Sequence, residues 1–293
     1  MVGVLSNKIS KEDLKPGDHI YSWRHGYVYT HHGPIYTLLS SILFSPMLCK
    51  YLQILQLHSC LIHILRMPNF GIHPQPGIYI GEGEVIHFTK GGSDTGGSLL
   101  DSITASSCPA INCLDPCPRC GDQSKMEGVI RSCIDCFLSG DELYLFQYSV
   151  SYLFFLGKVR GGTCTLAASD PAEDVLHRAK MLLENGFGEY HLSKNNCEDF
   201  AIYCKTSLIV LSRFSVCRGG QASSILAAAN AVVSSPLRFL TRTTTFVTMG
   251  LTGTVVVGCG VYCVGRVVSD IGVRRDASKI PVEVLISAHQ PKT

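Results

Sequence analysis

Charge is what this 293-residue chain has least of. Asp, Glu, Lys and Arg make up 16% of it, against roughly a quarter in ordinary globular proteins. Neither sign is in excess: the formal net charge is +2, so global electrostatics give no case for nucleic acid as a partner. The opening, MVGVLSNKISKEDLKPGD, is polar and lacks the apolar core of a secretory signal. Val2 stands where N-myristoylation needs glycine. The expected location is therefore cytoplasmic and reducing, with membrane association through the C-terminal apolar segment. There, 14 cysteines are thiols, metal ligands or nucleophiles rather than a disulfide framework. What the chain has in quantity is apolar surface, at 46% hydrophobic, enough for a sizeable core or a membrane contact. The length suits one or two domains.

Leu14-Lys15-Pro16-Gly17-Asp18 reads as a turn into a strand, His19 to Trp23. A second strand is expected over Tyr27 to Gly33, rich in aromatic and β-branched residues. Residues 34–76 then run apolar and almost uncharged, with neither a clean period of two nor helix caps. Pro46 and Lys50 divide them, so neither part makes a membrane helix of roughly 20 residues. Strand–turn–strand patterning resumes at Ile78 to Gly81 and Glu84 to Phe88, with Glu82-Gly83 at the turn. Residues 90–116 read as a Gly/Ser-rich loop, and Glu142 to Tyr148 alternates as a strand does. Residues 170–185 carry helix signals: Pro171 at the first turn, Glu173 and Asp174 at the positive end of the dipole, Gly186 beyond the last turn. A further helix is expected from Cys197 to about Leu208. Between Arg242 and Arg266 lie 23 uncharged residues, long enough to span a bilayer. The rival reading of 243–265 is a hairpin or helix packed on the main domain.

Asn195-Asn196-Cys197-Glu198-Asp199-Phe200 is the strongest local signal. Asn196 is a good N-cap, which puts Cys197 in a helix's first turn, where the dipole favours a thiolate, the nucleophilic form. Such a cysteine needs a base and something to orient that base. His31, His32 and His87 are the candidates on strand segments, although a histidine taken singly is more often a surface or satisfied core residue. His73 comes into question too, but Pro74 and Pro76 argue against a regular strand there.

Leu-Lys-Pro-Gly-Asp, then His-His-Gly, then Gly-Ile-Tyr-Ile-Gly-Glu-Gly-Glu-Val-Ile-His-Phe, then Asn-Cys-Glu-Asp-Phe together resemble the lecithin:retinol acyltransferase (LRAT)-like family of the NlpC/P60 thiol-enzyme superfamily, in its plant form. The resemblance covers about residues 10–33 and 77–206. Its pattern, His-x-x-Ile-Tyr-Val-Gly-(Asp/Glu)-Gly-x-Val-x-His, implies His31 as general base, His87 as the histidine that orients it, and Cys197 as nucleophile. It implies acyl transfer from, or hydrolysis of, glycerophospholipid esters through a thioester, with no catalytic cofactor and a phospholipid or membrane surface as partner. A scaffold that has lost activity and a cysteine peptidase or amidase of the NlpC/P60 type are the alternatives. The family often has histidine where Asp199 stands. An acid there disfavours the thiolate, although Asp199 falls about 200° around the helix from Cys197.

Residues 34–76 interrupt the motif. With 34–77 removed, Gly33 joins Ile78 and the text reads HHGIYIGEGEVIHF. His31 and His87 are then an even number of positions apart and His32 is not, so alternation favours His31. We read the insertion as translated intron sequence, against the rival of a membrane-contacting loop. If it is present in the protein, activity is in doubt.

A second cluster, Cys117-Pro118-Arg119-Cys120 and Cys133-Ile134-Asp135-Cys136, has the pairing of a structural tetrahedral zinc site. The alternative is a loop with incidental thiols. A redox role is less expected because neither pair opens an evident helix after a strand. The fold expected is α+β: a small antiparallel sheet packed on helices, of the NlpC/P60-like, permuted papain-like kind, over residues 10–210, with an apolar tail at 211–293.

Overall fold

The computed structural model describes residues 7–25, 72–90, 117–123, 126–158, 162–190, 195–210, 260 and 263–289. The chain divides into two compact units, residues 1–23 with 74–293, and residues 24–73. The second encloses most of the apolar stretch and lies almost wholly outside the described residues.

Five strands form the main sheet: β1 (His19–His25), β2 (Ile72–Gly81), β3 (Glu84–Thr89), β4 (Gly128–Cys133) and β5 (Tyr144–Leu145), in the order β4-β3-β2-β1-β5. The β1–β5, β2–β3 and β3–β4 pairings are antiparallel. The β2–β3 hairpin turns at Glu82 and Gly83, both with positive φ (53° and 72°), the backbone that a tight hairpin turn requires. Its register pairs Ile78 with Ile86 and Tyr79 with Val85. The expected strand at 142–148 shortens to two residues. That at 27–33, the loop at 91–116 and nearly all of 243–265 lie outside the described residues.

One sequence expectation fails here. Pro74 and Pro76 were expected to exclude a regular strand, yet β2 runs through both. The ladder to β3 covers only Ile78 to Gly81, so neither proline owes an N–H to β3.

The helices that bear on the site, among the described residues, are α1 (Ile134–Leu138), α2 (Tyr152–Gly157), α3 (Ala172–Asn185), α4 (Cys197–Thr206) and α5 (Val282–His289). A two-stranded ribbon pairs β6 (Leu208–Val210) with β7 (Ala277–Lys279). Helix α3 has the caps its sequence promised: Pro171 precedes it and Gly186, at φ 81°, ends it. Its buried stripe, Val175, Ala179 and Leu182, has helical spacing. Those residues, with Phe200, Ala201, Tyr203 and Cys204 of α4, cover Ile78, Ile86 and Phe88 of the sheet. On the other face, Val85 joins Ile20, Ile134, Phe137 and Leu138. The molecule is thus mixed α+β, with a small antiparallel sheet between two apolar layers. No helix among the described residues is long and apolar enough to cross a membrane.

Candidate functional site

Cys197 opens α4, as its sequence predicts. The Asn196 side chain accepts from the N–H groups of Glu198 (2.9 Å) and Asp199 (3.0 Å). Asp199 returns the favour by accepting from the Asn196 N–H at 3.1 Å. This capping box satisfies three donors at the helix start, and it gives Asp199 a local reason to be there. Asn195 donates to the carbonyls of Phe187 (2.8 Å) and Glu189 (2.9 Å), pinning the segment that carries Tyr190. Tyr190 in turn donates its hydroxyl to the Cys197 sulfur at 3.8 Å.

The electrostatics run against the dipole argument. Cys197 is buried, and burial pushes its thiol up to about 12; the Tyr190 hydrogen bond opposes this, and the carboxylates of Glu198 and Asp199 add to it. Desolvation of a thiolate outweighs a helix N-terminus here.

His87 sits on β3 and is fully buried. Phe88, the next residue, packs on Tyr190 and Phe200. Strand alternation therefore turns His87 to the opposite face, edge-on to Phe137 at a centroid separation of 5.4 Å. Its ring nitrogens meet Gln75 Nε2 at 3.2 Å from Nδ1 and Ser132 Oγ at 2.8 Å from Nε2. The Ser132 hydroxyl donates to Gln123 Oε1 at 2.6 Å, and Gln123 Nε2 donates to the Arg131 carbonyl at 2.7 Å. Because the one hydroxyl proton of Ser132 goes to Gln123, His87 must donate from Nε2 and accept at Nδ1 from Gln75. The result is a directed chain, Gln75 to His87 to Ser132 to Gln123.

The structure places the expected site residues as follows. His31 and His32 lie outside the described residues. Gln75, Ser132 and Phe137 lie against His87, and Tyr190 lies against Cys197. Gln75 is the residue the sequence reading missed. Counting back three positions from Ile78, the place the family pattern gives to the base, reaches Gln75 in the uninterrupted chain. It is 1% exposed and bonded to His87. The same motif read backwards from Ile78 finds it.

The four cysteines of the second cluster do converge. Cys133 ends β4 and caps α1, its sulfur accepting from the Cys136 N–H. This corrects the expectation that neither pair opens a helix after a strand. All four sulfurs lie within 4.8 Å of one another. The N–H groups of Cys120 and Arg119 hold Cys117 down to about 6, while burial raises Cys120 and Cys136.

A family model described as lecithin retinol acyltransferase matches residues 61–210. The match opens inside the apolar stretch, so residues 14–33 stand outside it. Protein LEAD-SENSITIVE 1 of Arabidopsis thaliana is 44% identical over 286 residues, covering 97% of this chain and 90% of that protein. No solved structure matches.

Proposed function

The chain belongs to the lecithin retinol acyltransferase family, and from that premise we propose that it is a catalytically impaired member as its sequence stands. Membership suggests acyltransferase or thiol-enzyme chemistry. The finer reading is acyl transfer from, or hydrolysis of, glycerophospholipid esters at a membrane surface, with Cys197 as nucleophile. That chemistry belongs to the form in which Gly33 joins Ile78.

The observation that carries this reading is Gln75. It fills the position of the base and makes the hydrogen bond to His87 that a base histidine would make. A carboxamide has no basic nitrogen and accepts no proton from a thiol near neutrality. A buried thiol pushed up to about 12 stays protonated without a base, and the thiol is a poor nucleophile. Excision of residues 34–77 removes Gln75 and brings His31 to the third position before Ile78. In that form Cys197 would attack the ester carbonyl, His31 would take the thiol proton and return it to the leaving lysophospholipid oxygen, and water or an alcohol or amine would then release the acyl group.

The test compares the full chain with the chain lacking 34–77 on phosphatidylcholine vesicles, following fatty-acid release and, by intact mass, an acyl adduct on Cys197. The shorter chain should form the adduct and lose it on Cys197→Ser, and the full chain should form none. Equal acylation of both would remove Gln75 as the cause of impairment. No adduct on either, with both folded, would sink the acyl-transfer reading and leave the scaffold. Cleavage of a peptide amide instead would move the reaction to the peptidase class.

A further inference from the structure

We propose that Cys117, Cys120, Cys133 and Cys136 bind one Zn²⁺ as a closed tetrathiolate site, and that this site holds Gln123, and through it the proton arrangement of His87.

Geometry carries the first half. A tetrahedron with Zn–S bonds of about 2.3 Å has sulfur–sulfur edges of about 3.8 Å. The sulfur separations are 3.5 Å for Cys117–Cys120, 3.9 Å for Cys117–Cys133, 3.4 Å for Cys120–Cys133 and 3.4 Å for Cys120–Cys136. They are far too long for disulfides, whose sulfurs stand about 2.05 Å apart, and they close on a single centre rather than pairing off. Two knuckles supply the sulfurs. In the first, the Gly121 N–H returns to the Cys117 carbonyl at 2.8 Å, a tight turn that Gly121 completes at φ 66°. In the second, the end of β4 passes directly into α1. Backbone N–H groups point at the sulfurs: Cys133 N–H to the Cys120 sulfur at 3.5 Å and Cys136 N–H to the Cys133 sulfur at 3.4 Å. Such donors stabilise the charge that thiolates bring to a metal. The twelve-residue loop is long enough because β4 starts at Gly128 and its last residue is itself a ligand.

Four protein sulfurs leave no open position, so the ion is structural and not catalytic. Loading would release one proton from each sulfur still protonated, and Zn²⁺ with four thiolates gives a dianionic site. Soft thiolates with no oxygen donor favour zinc over magnesium or calcium.

The second half follows from where Gln123 sits. It lies three residues after Cys120 and, through Ser132, one residue before Cys133, it reaches His87. Fixing both knuckles fixes Gln123 Oε1 as the acceptor at the end of the chain, which in turn keeps the Nε2 proton on His87. Gln123 is thus a positioning residue for His87, held by the ion. This role does not depend on the full chain being active.

The experiment uses the full chain purified under reducing conditions without chelator. Elemental analysis should give one zinc per chain. Cobalt loaded into the chelator-stripped protein should show thiolate-to-cobalt charge transfer and the intense visible bands of tetrahedral sites. Cys120→Ser should lose the metal, and Cys263→Ser, outside the cluster, should keep it. If Cys120→Ser fails to fold, the cobalt spectrum of the unmutated chain decides alone. No zinc with a folded chain, octahedral cobalt bands, or two disulfides in the reduced preparation would each overturn the site. Histidine ¹⁵N–¹H correlations, with His87 assigned by loss in His87→Asn, should show the Nε2-protonated tautomer in the loaded chain. They should show tautomer exchange after metal removal or in Gln123→Ala. A His87 signal indifferent to both would overturn the coupling.

Discussion

Thiol alkylation across pH gives the most direct reading of the state of Cys197. At pH 8, a cysteine near its ordinary value of 9 is ionised in about one molecule in ten, and one held near 12 in about one in ten thousand. Because the thiolate is the reacting species, iodoacetamide should label Cys197 in the folded full chain about a thousandfold more slowly than in the urea-unfolded chain at pH 8. The folded rate should climb about tenfold per pH unit up to about 12. Peptide mass spectrometry of the segment containing Cys197 reads it directly. Stability should mirror this. The folded thiol's pKa is raised, so its contribution is complete below the unfolded value of 9 and is lost as pH rises from 9 towards 12. At pH 10 that loss is about 1.4 kcal/mol, visible as a steeper fall of the urea midpoint in the unmutated chain than in Cys197→Ala. Labelling at equal rates in folded and unfolded chains at pH 8 would mean that burial does not govern this thiol, and the argument for an impaired site would lose its second support.

Two further outcomes follow from buried groups. Ser132→Ala removes the hydroxyl between His87 and Gln123 and leaves an imidazole N–H buried without its acceptor, a cost of about 1–3 kcal/mol. Urea titration should show it, with Ser132→Thr retaining most of the stability, and an unchanged midpoint in Ser132→Ala would break the directed chain. His19 stacks on Phe146, shares a hydrogen bond of 2.8 Å with Tyr148, and is lowered well below 6.5, first by burial and then by the Lys205 charge. A depressed imidazole binds its proton in the unfolded chain first. Stability should therefore hold above about pH 6.5 and fall as the solution is made more acid. His19→Gln should flatten that fall between pH 7 and 5, and an identical slope in the variant would assign the loss to other groups.

Much of the site's local structure was legible in the residues because it depends on near neighbours. Asn196 before Cys197, with Asp199 three residues on, makes a capping box that any solvent environment would favour. Glu82-Gly83 makes a hairpin turn by backbone sterics alone. Pro171 and Gly186 bracket α3 for the same reason. The two CxxC pairs were also visible, and their four sulfurs do lie within 4.8 Å of one another.

What the residues did not disclose depends on which face a side chain takes and what covers it. The N-cap argument foresaw an activated Cys197, but desolvation under Tyr190 and α4's neighbours outweighs a dipole, and burial is set by packing from segments distant in sequence. His87 was visible as a motif histidine. That it turns towards Phe137 and Ser132, away from Phe88's layer, is fixed by the register of β2, β3 and β4. Gln75 shows the difference most clearly. Its side chain carries no catalytic signature, and two neighbouring prolines spoke against a strand there. Counting back from Ile78 reaches position 75 in the sequence, but only the sheet shows its side chain buried and bonded to His87.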